Sequence, residues 1–194
     1  MFPQSEDFDY PPSVPGKVRR AFASLAERFT PDEVDRAITQ IAVRMTVALQ
    51  DKNPIFVTVL HGGSVLAGTL QRMLVFPCQF GYVHVGRYGQ ETEGGEVVWK
   101  GFDVPGFEQR TVVFLDDILD EGVTLSALTR WATLKGAAEV QSAVLVSRQN
   151  TEVEADYCGL ESGPGFLVGS GMDYLGYGRN LPGIYVLDDA PVVL

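Results

Sequence analysis

Apolar residues along this chain fall into two kinds of pattern, and the alternation between them predicts the fold. Short, largely apolar runs rich in β-branched residues occur at 55–60, 111–115 and 140–146. Runs of this length and composition predict strands buried on both faces of a parallel sheet. Between them, apolar residues recur at helical spacing. Val34, Ile38, Ile41, Ala42, Met45 and Leu49 form one stripe. It is opened by Thr30-Pro31-Asp32-Glu33, a capping box with proline at the first helical position, and should end near Asp51 to Asn53. A second helix is predicted at roughly 65–74. A third carries Leu125, Leu128, Trp131, Ala132 and Lys135 and stops at Gly136. Val18, Phe22, Leu25 and Phe29 share this spacing and predict a short helix near the N-terminus. The stretch 78–85 reads as a further strand and 97–100 as its hairpin return. The polar, Gly-rich stretch 86–95 between them reads as a mobile loop.

Strand, helix, strand in this order implies right-handed crossovers and a twisted, mostly parallel, Rossmann-like α/β sheet flanked by helices. Residues 1–16, rich in Pro and acidic groups, read as an extended arm, and 17–150 as the α/β core. Residues 151–194 break the rhythm with many Gly, Pro and aromatics and read as a small cap, or hood, over the strand ends. Ligands of such sheets bind at the carboxyl ends of the strands. His61, Asp116, Asp117, Asp120 and Arg148 all fall just past predicted strand ends, which places them around one site.

Composition narrows the partners. The 194 residues are 45% hydrophobic and 21% charged, as in an ordinary globular protein, and long enough for a substantial core. The formal net charge of −10 argues against nucleic acid or a polybasic membrane contact. An acidic protein that binds a polyphosphate calls for Mg²⁺ to screen the repulsion. The two cysteines, Cys78 and Cys158, lie far apart and predict free thiols in a reducing compartment. The first sixteen residues lack a basic and apolar leader, so a cytoplasmic protein is expected.

The most informative chemistry is at TVVFLDDILDEGVTL, 111–125. A strand, a tight Gly-containing turn and a helix N-terminus make an anion site, because free backbone N–H groups and the helix dipole converge there. Carboxylates beside such a cradle suit ribose hydroxyls or Mg²⁺, so a sugar phosphate accounts for both. The segment resembles the phosphoribosyl-pyrophosphate (PRPP) motif of type I phosphoribosyltransferases: an apolar run, an acidic pair, two spacers, Asp, Gly and Thr. Farther on, Phe166-Leu167-Val168-Gly169-Ser170-Gly171-Met172-Asp173-Tyr174 and Arg179-Asn180-Leu181-Pro182 are similar to the C-terminal segment of hypoxanthine-guanine phosphoribosyltransferases. With the Leu60-His61-Gly62-Gly63 turn, the resemblance covers about residues 35–187.

The resemblance implies displacement of pyrophosphate from PRPP by N9 of a 6-oxopurine, giving a nucleoside monophosphate. In that reading Asp120, Glu121, Gly122, Val123 and Thr124 hold the 5′-phosphate, and Asp116 and Asp117 hold the ribose diol, directly or through Mg²⁺. Asp120 is the acid/base near the purine N7. His61, Gly62 and Arg179 contact pyrophosphate. Phe166 stacks on the purine, the Leu167 backbone reads its edge, and Asp173 lies at the purine site as a Mg²⁺–pyrophosphate ligand. Relatives carry a cis non-proline peptide before the Gly pair. Several have Lys where His61 stands, and Arg148 replaces a Lys that reads the purine O6. Arg87-Tyr88 stand in place of a lid Ser-Tyr pair. The resemblance further implies a homodimer or homotetramer. Xanthine or adenine as base, and a non-catalytic PRPP-sensing regulator, remain open alternatives. An acyl-phosphate receiver domain also carries an acidic pair, but the Gly-Val-Thr helix entry and the C-terminal cap do not fit it.

Overall fold

The computed structural model describes residues 10–87, 97–149, 151 and 153–187. The capping box forms as expected. Thr30 Oγ1 accepts from the Glu33 amide and Glu33 Oε2 accepts from the Thr30 amide, at 3.3 and 2.8 Å. These bonds start helix α2 (Pro31–Leu49), whose stripe Val34, Ile38, Ile41, Ala42, Met45 and Leu49 is buried. The rest of the α/β core comprises β2 (Ile55–Leu60), α3 (Ser64–Met73), β3 (Gln79–Arg87), β4 (Val97–Asp103), β5 (Thr111–Leu119), α4 (Val123–Leu134), β6 (Glu139–Arg148) and β7 (Tyr157–Ser162). The sheet runs β4-β3-β2-β5-β6-β7, parallel throughout except for the antiparallel β4 edge. Helices α2 and α3 cover one face, where Val113 and Leu115 point. Helix α4 covers the other, where Val112 and Phe114 point. The fold is thus the predicted mostly parallel, helix-flanked sheet.

A second sheet is small, of order β1-β9-β8, built from β1 (Leu25–Phe29), β8 (Phe166–Val168) and β9 (Ile184–Leu187). It forms the hood, and it corrects three expectations. The N-terminal helix α1 covers only Gly16–Phe22. Leu25 and Phe29 belong to β1, which pairs antiparallel with β9. A four-residue spacing is shared by one face of a helix and one face of a strand, so the apolar positions alone could not separate the two. The hood is therefore not built from the C-terminal segment only, because an N-terminal strand forms one edge. Tyr10 and Val14, within the expected arm, pack on the hood core of Val18, Phe22, Val168, Tyr174 and Leu187. Conversely, β7 lies within 151–194 but joins the main sheet. It is secured at its start by Asp156, whose Oδ2 accepts from the Ser142 amide at 2.8 Å.

Two strands also run farther than their apolar cores. β5 keeps pairing with β6 up to Leu119 and Ser147, so Asp116 and Asp117 lie inside β5, and Arg148 ends β6. Backbone ladders do not depend on side-chain polarity, which is why periodicity cut these strands short. Gly86 and Arg87 belong to β3, and the expected lid residue Tyr88 falls outside the described residues, as do 89–95. Trp131 packs among Phe107, Phe102 and Trp99, with ring centroids 4.9–5.3 Å apart. Both cysteines are free. No described helix is long and apolar enough to cross a membrane.

Candidate active site

The bend between β5 and α4 is made by Asp120-Glu121-Gly122. Gly122 caps α4 at φ 78°, a left-handed conformation that glycine tolerates and L side chains resist. A Cβ there would also lie 2.7 Å from Val153 Cγ2. The amides that begin α4, at Val123 and Thr124, have no helical acceptor ahead of them, and the helix dipole adds positive potential at the same point. Asp116, Asp120, Gly122 and Thr124 line one small cavity together with Leu125 and Leu128 of α4. The free amides of the bend and two acids, Asp116 and Asp120, therefore share one opening.

Consecutive residues in a strand face opposite sides, so the acidic pair leans to two sides while its carboxyl groups stay in hydrogen-bonding contact. Asp116 follows Val112 and Phe114 to the α4 side. Asp117 follows Val113 and Leu115 to the α3 side, where its carboxylate packs directly against Gly62. A Cβ at Gly62 would overlap the Asp117 oxygens. Burial pushes the Asp117 carboxyl pKa up, against the hydrogen bonds and the Arg179 charge that lower it. Its Oδ1 accepts from the Ile118 amide at 2.8 Å. Asp117 thus braces the Leu60-His61-Gly62-Gly63 turn, and Asp116 remains the member of the pair that faces the cradle.

That turn contains a cis peptide between Leu60 and His61. Gly63 donates to the Val59 carbonyl at 2.9 Å and leaves no room for a side chain against the Leu115 carbonyl. The hood meets the turn through Gly171 (φ 107°), where a Cβ would collide with the Gly62 carbonyl oxygen. Arg179 ties this contact together, since Nη1 donates to the Gly171 carbonyl and Nη2 is ion-paired with Asp173. Asp173 Oδ2 accepts from the Gly176 amide at 2.6 Å. Buried Ser170 donates to the Pro182 carbonyl at 2.9 Å. Gly171 and Ser170 were inside the recognised motif, but nothing in the sequence assigned them this bridging position.

Arg148 joins the second half of the hood to Asp120. Its Nη1 and Nη2 donate to the carbonyls of Gly163 and Gly165, at 2.7 and 2.6 Å, and its Nε lies 3.5 Å from Asp120 Oδ1. A guanidinium has five N–H groups, so one on each Nη has no acceptor among the described residues. Phe166 follows on β8, which is an edge strand whose outer backbone side has no sheet partner. Phe166 is 40% exposed and its ring meets that of Tyr174 in a T-shaped contact at 5.8 Å. A core phenylalanine would be buried, as the adjacent Leu167 is at 4% exposure.

These elements gather a Gly-containing bend at a helix N-terminus, a Gly-rich turn and a partly exposed aromatic ring near the carboxyl ends of parallel strands. Residues 30–174 match the family model of the phosphoribosyl transferase domain. The chain belongs to the phosphoribosyltransferase family. This phosphoribosyltransferase is 32% identical over 162 residues to the hypoxanthine-guanine phosphoribosyltransferase of Streptococcus pneumoniae, covering 81% of this chain and 90% of that protein. It is 29% identical over 164 residues to the Bacillus subtilis protein of the same name, covering 82% and 91%. A solved hypoxanthine phosphoribosyltransferase from Staphylococcus aureus superposes with a TM-score of 0.78 at 26% identity, covering 84% of this chain and 92% of that one. The phosphoribosyltransferase is therefore of type I, in the hypoxanthine-guanine branch. The α1 and β1 segments that complete its hood precede the matched region.

Proposed function

We propose that this phosphoribosyltransferase acts in purine salvage, transferring the phosphoribosyl group of PRPP to N9 of hypoxanthine or guanine, with IMP or GMP and pyrophosphate as products. The observation that carries the reading is the convergence of the 120–124 bend, the His61-Gly62 turn and the partly exposed Phe166 ring. Arg148 and Gly171 are the struts between them. In this reading the amides of 121–124 and the Thr124 hydroxyl hold the 5′-phosphate. Asp116 accepts from the ribose diol and favours the positive charge that develops on the ring. The N9–C1′ bond forms as the C1′–pyrophosphate bond breaks, and the electron pair leaves with pyrophosphate. The displaced purine proton passes to Asp120, whose half-exposed carboxylate reaches the open side of the bend. The two remaining N–H groups of Arg148 donate to a 6-oxo group, which disfavours the 6-amino group of adenine.

Mg²⁺ belongs to the same proposal. No group of three His, Cys, Asp or Glu side chains that could hold a metal occurs among the described residues. That fits an ion taking one or two carboxylates plus substrate phosphates, the usual manner of Mg²⁺. Asp116 beside the bend and Asp173 on the hood are the carboxylates that would hold it, and the ion would screen pyrophosphate charge. Assembly as a homodimer or homotetramer in the cytoplasm completes the reading.

The test is pyrophosphate release from PRPP and Mg²⁺ with hypoxanthine, guanine, xanthine and adenine in turn. Turnover with hypoxanthine or guanine well above adenine is expected. PRPP binding without turnover on any purine would favour a sensor. Phe166→Ala should raise the KM for the base about tenfold while leaving the KM for PRPP within about twofold, from the loss of a stacking face worth ~1–3 kcal/mol. An unchanged base KM would remove Phe166 from the site.

A further inference from the structure

The chain has two histidines, and they meet at the pyrophosphate turn. His61 follows β2 and His84 lies on β3, where Leu60 and His84 are register partners. Their rings stand edge to face with centroids 4.7 Å apart. An ammonium joins them from β4. The β3–β4 register shifts between His84, opposite Gly101, and Val85, opposite Trp99, so Lys100 is the extra residue of a β-bulge. Such bulges re-aim a side chain. The Lys100 ammonium accordingly lies over Gly86, 3.1 Å from where a Cβ would stand. The groups that act electrostatically on His84 are Lys100 from β4 and His61 from the end of β2, with no carboxylate among them. Lys100 forms no ion pair with another described residue. In a chain of net charge −10, two imidazoles and an ammonium clustered with no carboxylate among the described residues acting on them point to an anion from outside.

We propose that His84 and Lys100, with His61, form the binding site for the outer phosphate of pyrophosphate, and that His84 takes up a proton when pyrophosphate binds. The proposal rests on the transferase reading and extends it to two residues that neither the motif nor the turn identified. Desolvation, with the charges of Lys100 and His61, lowers the His84 pKa from its usual value, so His84 is neutral near pH 7 before the ligand arrives. A polyanion beside the ring reverses that balance and raises the pKa. Between the free and bound pKa values binding draws in a proton. Above the bound value it draws none, because the imidazole stays neutral in both states. Affinity for pyrophosphate is therefore greatest on the acid side of the window and is lost as pH rises through the bound-state pKa. Release of this product is then favoured by alkaline conditions.

The test compares wild type with His84→Gln by titration calorimetry of inorganic pyrophosphate with Mg²⁺, at pH 6, 7 and 8 in two buffers of different ionisation enthalpy. Protonation of pyrophosphate itself is common to both proteins and cancels. Wild type should take up more protons than the variant, by up to one per site. It should also bind about tenfold tighter than the variant at pH 6, the scale of a hydrogen bond to a charged group, with the two converging by pH 8. The imidazole ε1 protons of wild type give a second readout that does not depend on the variant folding. One of the two resonances should titrate below the ordinary histidine range and shift upward on adding pyrophosphate. Lys100→Gln should raise that resonance's midpoint in the free protein. Equal proton uptake in wild type and His84→Gln, or two histidine midpoints that ignore pyrophosphate, would overturn the proposal while leaving phosphoribosyl transfer in place. A wild-type protein that neither transfers nor binds pyrophosphate would overturn both.

Discussion

Asp120→Asn should lower kcat by about 10²–10⁴-fold, the usual contribution of a positioned acid/base, and shift the KM for PRPP by no more than about threefold. Asn keeps the side-chain volume and can still shape the bend, so the backbone amides proposed to hold the 5′-phosphate remain where they are. What it loses is the capacity to accept the purine proton and the charge facing Arg148 Nε at 3.5 Å. Steady-state kinetics with both substrates varied separate the two effects. Equal losses in kcat and in PRPP affinity would make Asp120 a loop-shaping residue, whose carboxylate serves the turn and not the base. The 53% exposure of its side chain favours the catalytic role, because a carboxylate that only shaped the backbone would be turned into the loop.

Gly171→Ala should reduce kcat/KM about 10²-fold, the consequence of misplacing a site by roughly an ångström. The added Cβ collides with the Gly62 carbonyl, and the hood must lift from the turn that Asp117 supports. Positive φ alone also strains any L residue, at ~1–3 kcal/mol, so a matched control is needed. Gly176→Ala supplies it. Gly176 has φ 85°, in the same left-handed region, but a Cβ there meets nothing within 4 Å. If hood contact is what matters, Gly176→Ala keeps activity within about threefold at a similar loss of melting temperature. Similar kinetic losses in both variants would assign the effect to backbone strain and remove the hood contact from the account.

Much of this was legible in the sequence because local and global signals agreed. Thr30, Pro31 and Glu33 specify the start of α2 by chemistry confined to one turn. The runs at 55–60, 111–115 and 140–146 each lie within an observed strand of the main sheet. The cradle was readable because Gly122 and the helix start are adjacent in the chain. What escaped depends on partners far away in sequence. Leu25 and Phe29 become a strand only because β9, more than 150 residues later, supplies its ladder. That Asp116 and Asp117 lean to two sides follows from β5 continuing past Leu115, which the pairing with β6 decides. The Gly171–Gly62 contact and the meeting of His61 with His84 and Lys100 join loops and strand ends that no periodicity relates. Arg148 is the instructive case. Its type suggested a base reader, but only the structure shows most of its guanidinium tied to Gly163, Gly165 and Asp120.

The measurement that addresses the central claim most directly is a crystal structure of the protein with IMP or GMP. The 5′-phosphate should sit on the amides of 121–124 beside the Thr124 hydroxyl, with the diol toward Asp116 and the purine stacked on Phe166 within reach of Arg148 and Asp120. A nucleotide bound elsewhere, with the 120–124 bend free of phosphate, would contradict it.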